Sequence, residues 1–159
     1  MEMTITVTPI TAQDRHRVVA ISQMQEHFLD CEINISVEVI DGSLTPNGDY
    51  ETMVARDDQE RVWGFISFGA VPLTENRYDL YWIAVDPGVG RSGIGTHLMK
   101  AMEGRLCRDG SGHIYIDTSS LPGYLPARNL YEKHGYQAVA RLQDFYRPGD
   151  DKIIYRKIC

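Results

Sequence analysis

Apolar residues recur along this chain with two different periods, and each switch between them marks the edge of an element. Ile5 and Val7 alternate with threonines and predict a short first strand. Thr11 followed by Asp14 has the pattern of a helix N-cap, and Val18, Ile21, Met24 and Phe28 then follow at helical spacing to about Asp30. Ile33, Ile35, Val37 and Val39 alternate as a strand would, yet the stretch is short and flanked by acids, so it stays open between strand and helix. Thr45-Pro46-Asn47-Gly48-Asp49 is a turn cluster. Glu51 to Arg56 and Arg61 to Val71 read as a hairpin in one antiparallel sheet, joined by the polar Asp57-Asp58-Gln59-Glu60.

Tyr78 to Val85 is the strongest strand, rich in aromatic and branched residues and closed by Pro87 with nearby glycines. Gly93 to Arg108 predicts a helix with Leu98, Met102 and Leu106 on one face and Gly110 past its end. His113 to Thr118 is a strand, and Pro126 to His134 a short helix started by proline and stopped at Gly135. Two final strands cover about Gln137 to Phe145 and Lys152 to Ile158. Antiparallel strands, then strand, helix, strand, helix and a closing hairpin make a mixed α/β order.

Without repeats or a linker-like shift in composition, residues 1–159 are expected to form a single domain. The chain has 159 residues, 43% of them hydrophobic and 24% charged, enough for a core. Sixteen basic residues against 22 acidic ones leave a net charge of -6, with no basic cluster, so nucleic acid is not an expected partner. The longest unbroken apolar run, Leu80 to Val85, is far shorter than the roughly 18 residues of a membrane span, and Met1-Glu2-Met3-Thr4 lacks the basic start of a signal peptide. A cytoplasmic protein with no membrane partner is expected. Cys31, Cys107 and Cys159 are far apart, form no C-x-x-C pair and are read as free thiols. The histidines at 16, 27, 97, 113 and 134 show no ligand spacing, so no metal is expected.

Candidate chemistry gathers in the glycine-rich segment Val85 to Thr96, between the strongest strand and the clearest helix. Such a loop turns backbone N–H groups toward a ligand, and the helix N-terminus behind it adds partial positive charge, which together suit a phosphate. A tight strand-to-helix turn with no ligand is the plainer alternative. The P-loop pattern fails, because Gly95 is followed by Thr96 and His97 where Lys and Ser/Thr belong. Gly88, Gly90 and Gly93 spell G-x-G-x-x-G, with Asp117 24 residues beyond the last glycine, close to a dinucleotide fingerprint. Asp86-Pro87 intervenes, however, and only 42 residues follow Asp117, too few for the second half of a doubly wound domain.

Arg91-Ser92-Gly93-Ile94-Gly95-Thr96, preceded by Tyr81-Trp82-Ile83-Ala84-Val85-Asp86-Pro87, resembles the acetyl-CoA-binding motif of the GNAT superfamily of N-acetyltransferases. Ala127-Arg128-Asn129-Leu130-Tyr131-Glu132-Lys133-His134-Gly135-Tyr136 resembles that family's A-x-x-L-Y-E-K-x-G-F segment. With the closing hairpin the resemblance covers about residues 50–159. It implies a central, mostly antiparallel sheet with a V-shaped split between two strands, flanked by helices. Acetyl-CoA would be the cosubstrate, its pantetheine lying along the backbone of Ile83, Ala84 and Val85 and its pyrophosphate on the amides of Arg91, Ser92, Gly93, Ile94, Gly95 and Thr96. The family pattern Q/R-x-x-G-x-G puts its first position on Gly90, so the usual side chain is missing there and Arg91 stands one residue later. The asparagine usual seven residues before the helix tyrosine is Tyr124.

Acetyl transfer to an amine requires a proton acceptor, a donor to the oxyanion and an acid for the departing thiolate. The resemblance assigns the acid to Tyr131 and the base to Asp79, with a backbone amide near Ile83 or Ala84 as oxyanion donor. In the family the loop that here spans Asp144 to Lys152 borders the acceptor site; its three aspartates and the negative chain suit a positively charged amine, with a solvated turn as the plainer and favoured alternative. The implied activity is transfer from acetyl-CoA to a primary amine of a small molecule or peptide within a ternary complex. A CoA-binding sensor without transferase activity and an NAD-binding oxidoreductase are the alternatives. A homodimer is implied by the resemblance alone.

Overall fold

The computed structural model describes residues 3–90 and 92–159. Among them, strands β1 (Thr6–Pro9), β2 (Glu51–Arg56), β3 (Val62–Ala70), β4 (Arg77–Val85), β5 (His113–Ser119), β6 (Gln137–Arg147) and β7 (Asp150–Ile158) form one sheet in the order β1-β2-β3-β4-β5-β7-β6. All neighbours are antiparallel except β4 and β5. That single parallel pair is joined across helix α3 (Ile94–Leu106), as a parallel connection requires. A sheet with one parallel pair is not the doubly wound sheet of a dinucleotide-binding fold, which sets aside the NAD reading.

Helices cover both faces. Leu98, Met99, Met102 and Leu106 of α3 recur at helical spacing and pack on Ala55, Ile66, Phe68 and Leu80. Tyr131 of helix α4 (Leu125–Lys133) joins that cluster with Tyr136 and Tyr155. The opposite face packs Val18 and Ile21 of helix α1 (Arg15–Gln23) and Ile40 of helix α2 (Asp30–Ser43) on Val54, Phe65 and Ala84. Adjacent residues such as Phe65 and Ile66 therefore serve opposite layers, as strand alternation dictates.

Near the N-terminus one expectation changes and one open reading is resolved. The helix that begins after Thr11 ends at Gln23 and does not reach Asp30. Its start is as expected: the Asp14 carboxylate accepts from the Thr11 amide at 2.9 Å and from the Thr11 hydroxyl at 3.0 Å. The alternating stretch 33–39 is part of α2, because tertiary packing selects Ser36, Val39 and Ile40 as its buried positions and leaves Ile35 in solvent. Glu32 caps this helix by accepting from the Leu29 amide at 2.7 Å.

The cysteine reading is also corrected. Cys107, just past α3, and Cys159, just past β7, form a disulfide with Cα atoms 5.1 Å apart, whereas Cys31 is free and exposed. Distance along the chain concealed the pair. Gly112 and Cys159 exchange backbone hydrogen bonds, and this brings the chain end beside the end of α3. Among the described residues no helix is long and apolar enough to cross a membrane.

Candidate active site

The site begins with one surplus residue in β4. Ser67 pairs with Trp82 and Phe68 with Leu80, so Tyr81 is a bulge that reverses the alternation of side chains beyond it. Leu80, Ile83 and Val85 consequently pack under α3, while Trp82 and Ala84 pack toward α1. The parallel ladder ends at the same place. β4 and β5 pair from Arg77 and His113 up to Leu80 and Ile116, and beyond that point β4 continues on β3 while β5 continues on β7. The backbone of 81–85 therefore faces a split rather than a strand.

A cavity of about 300 Å³ opens beside the split, walled by Tyr81, Trp82 and Ile83 of β4, Asp117, Thr118 and Ser119 of β5, and Tyr131 of α4. Tyr131 is 5% exposed, and its hydroxyl has no hydrogen-bond partner among the described residues. Burial, reinforced by Tyr155, pushes its phenol far above the ordinary tyrosine value, so it keeps its proton at neutral pH. Tyr146 and the buried Asp150, from the hairpin expected to border the acceptor, also line this cavity. Asp150 accepts from the Ser119 hydroxyl and from Arg147 Nη1, the latter at 2.5 Å.

A second groove, of about 770 Å³, continues along the other end of the split, lined by Val85, Gly90, Gly93, Ile94, Gly95, Thr96, Asn129, Leu130 and Lys133 among others. Gly90 has φ 51° and ψ -133°, a combination closed to residues with a Cβ, and Gly93 has φ 78°. No atom lies within 4 Å of where their Cβ atoms would stand, so their bareness serves backbone conformation and leaves the cradle open. The missing side chain at Gly90 has its physical reason here. The first N–H groups of α3 emerge at this cradle, with the Lys133 side chain beside it, a donor set suited to phosphate oxygens. Ser92 is exposed next to it; Arg91 lies outside the described residues.

The loop is held from behind by α1, which motif reading left unassigned. Arg17 Nη2 donates to Asp86 Oδ2 at 2.5 Å, and Asp86 Oδ1 accepts from the Gly88 amide at 2.8 Å. Gln25, just past α1, donates from its side-chain amide to the Val85 carbonyl at 3.0 Å.

Asp79 occupies the closed part of the ladder, opposite Gly69 and Tyr115, and is not among the residues lining the cavity. Asp117, its diagonal neighbour on the same face, is a lining residue and pairs with Lys152 Nζ at 2.9 Å. Burial and the Asp117 charge raise the Asp79 pKa, with Lys152 opposing. Sequence reasoning met Asp117 only as part of a dinucleotide-like fingerprint and did not place Glu32, Tyr124, His27 or Phe28 at a site; they close the cavity from α2, the segment before it and the turn before α4. Of these, only Tyr124 stands beside a motif, at the position where the family usually has asparagine; nothing local in the sequence marks Glu32, His27 or Phe28. Among the described residues, no three His, Cys, Asp or Glu side chains gather as metal ligands.

Residues 48–138 match the family model of the acetyltransferase (GNAT) domain, more than half of the chain, and the protein belongs to the GNAT family. An N-alpha-acetyltransferase of Sulfurisphaera tokodaii is 30% identical over 93 residues, 58% of this chain and 54% of the relative. The chain spans about half the length of that curated relative. A crystal structure of a GNAT-family protein from Desulfovibrio desulfuricans is similar over 98% of this chain and 99% of its own, with 33% identity and TM-score 0.89. An aminoglycoside 6'-N-acetyltransferase complexed with coenzyme A shares the fold, with TM-score 0.73 and 18% identity over 96% of each chain. The family is one of acyltransferases that use acetyl-CoA.

Proposed function

We propose that the protein transfers the acetyl group of acetyl-CoA to a primary amine of a small molecule or peptide by direct attack in a ternary complex. The observation that carries this reading is the split between β4 and β5, with Tyr131 at its wall and the glycine cradle at its end. The residues present fit the cosubstrate: the open cradle of Gly90 and Gly93, the amides of Ser92 to Thr96 and Lys133 would hold its phosphates, and the edge of β4 at Ile83, Ala84 and Val85, which has no β5 partner beyond Leu80, its pantetheine. When bound, acetyl-CoA supplies the acetyl group as a thioester.

The remaining chemistry belongs to the chain. Tyr131 holds a proton at its Oη, ready for the sulfur as the carbon–sulfur bond breaks. Backbone N–H near Ile83 or Ala84 stabilises charge on the acetyl oxygen. As the carbon–nitrogen bond forms, the amine proton passes to the carboxylate pair: Asp117 stands on the cavity wall, and Asp79, its pKa raised by burial and by Asp117, lies next to it on the same face. Asp79 is thus the base assigned by the resemblance, reached through Asp117.

Thermal-shift titration with acetyl-CoA, CoA, NAD and ATP, followed by a thiol-release assay over an amine panel, tests the reading. Stabilisation by the first two ligands alone, with thiol release, is expected. A shift with NAD only, or none, overturns it; CoA binding without thiol release from any amine leaves a CoA sensor.

A further inference from the structure

The cavity carries three carboxylates, and they are not equivalent. Asp117 has Lys152 and Asp150 has Arg147 as counter-charge. Glu32 has no cationic partner among the described residues: its oxygens take the Tyr124 hydroxyl, at 2.9 and 3.1 Å, and the Leu29 amide. Both donors are neutral. Burial and the hydrogen bond to Glu32 push the Tyr124 phenol well above its ordinary pKa, so it stays protonated. His27, whose ring meets Tyr124 beside Glu32, has its pKa lowered by burial, which favours the neutral imidazole despite an opposing pull from Glu32.

Around this carboxylate, which caps α2 and meets no cationic side chain among the described residues, stands an aromatic wall. His27 meets Phe28 edge-on at 4.6 Å and Tyr124 at 4.7 Å between ring centres, and Phe28 meets Trp82 at 5.3 Å. Half-buried aromatic rings beside a carboxylate are the surroundings that favour an alkylammonium or guanidinium, through ring faces and charge together. The reacting amine cannot fill this role, because it must be neutral when it attacks.

We infer that the acceptor carries a second, permanently cationic group besides the amine that reacts, and that Glu32, with the His27, Phe28 and Tyr124 rings, selects for it. The inference rests on the acetyltransferase reading. A free aliphatic diamine and a peptide with a basic side chain near its reacting amine both supply this chemistry. The cation sits at the Glu32 end of the cavity and the reacting nitrogen at the Tyr131 end.

The test compares matched acceptors that differ only in the second charge: diaminobutane against butylamine, and alanyl-lysine against alanyl-norleucine. Each is assayed by thiol release with acetyl-CoA and by calorimetric binding to the CoA-saturated protein, in the wild type and in Glu32→Gln. Gln keeps an oxygen for the Leu29 amide, and an unchanged thermal midpoint confirms that the variant folds. The wild type is expected to favour the dicationic member by about tenfold or more in kcat/KM, with the difference in KM. Glu32→Gln is expected to bring the ratio toward one. The pair that shows the effect identifies the source of the cation. Equal use of both members by the wild type, or a preference that survives Glu32→Gln, overturns the inference while leaving the transferase reading intact. Selective binding of the dication that Glu32→Gln abolishes, without thiol release, supports the inference and removes the transferase reading; binding of neither member overturns the inference.

Discussion

Arg17 of α1 and Asp86 at the end of β4 form an ion pair, Nη2 to Oδ2 at 2.5 Å, with side chains 19% and 11% exposed. Asp86 uses its other oxygen to accept the Gly88 amide, so a residue from the first helix sets the path of the glycine loop 69 positions away. Replacing Arg17 by Met removes the positive partner and leaves the aspartate to hold the turn alone. Acetyl-CoA affinity, read by calorimetry, is expected to fall by about three- to tenfold; unaltered affinity means that the pair serves folding only.

Tyr131→Phe deletes the hydroxyl and keeps the buried ring. General acid catalysis is worth roughly 10²- to 10⁴-fold, so kcat is expected to drop within that range while the acetyl-CoA thermal shift stays as in the wild type. Unchanged turnover would remove Tyr131 from the mechanism.

Gly90→Ala puts a Cβ on a backbone at φ 51° and ψ -133° where the space is open but the conformation is not. Strain of about 1–3 kcal/mol is expected from such a position. Chemical denaturation reads the stability loss, and a rise in KM for acetyl-CoA reads displacement of the cradle. A fully stable variant with normal KM would refute the conformational argument.

Asp14 is 8% exposed and meets Arg56 Nη2 at 2.8 Å. Burial alone would raise its pKa, but hydrogen bonds from Arg56 and Thr11 outweigh burial and hold it below the ordinary aspartate value. A carboxylate with a depressed folded-state pKa stabilises the fold above its unfolded pKa, and that contribution is lost as pH falls through the folded value. Asp14→Asn is therefore expected to be less stable than the wild type at pH 7, with the gap shrinking below about pH 4. Denaturation curves at the two pH values check the sign.

The Cys107–Cys159 disulfide closes a segment with a sequence separation of 52 residues. Cross-links of this kind are worth about 2–4 kcal/mol, largely by restricting the unfolded chain. Cys159→Ser is expected to lower Tm by several degrees, and a reductant to lower the wild-type Tm without affecting the variant. Equal Tm values with and without reductant would contradict it.

Much of the fold was legible because its information is local. The aromatic and branched run Tyr78 to Val85, the spacing of Leu98, Met102 and Leu106, and Gly135 after α4 each state an element within one short window. The glycines of the cradle were readable for the same reason, since a backbone conformation forbidden to other residues leaves its mark on residue type.

The rest depends on partners distant in sequence. The stretch 33–39 alternates like a strand, and only tertiary packing, with Ser36 and Val39 buried and the next residue, Ile40, on the sheet face that carries Val54 and Phe65, makes it a helix. Cys107 and Cys159 meet because β7 ends beside the end of α3. Asp79 and Asp117 could not be ranked from spacing, since the register of one parallel ladder decides which of them reaches the cavity. The sequence by itself thus determined most of the elements and the glycines of the loop before α3, where a residue's conformation depends on its immediate neighbours. Tertiary structure alone decided which carboxylates and aromatic rings share one cavity, because burial, charge compensation and the bulge at Tyr81 are properties of elements brought together.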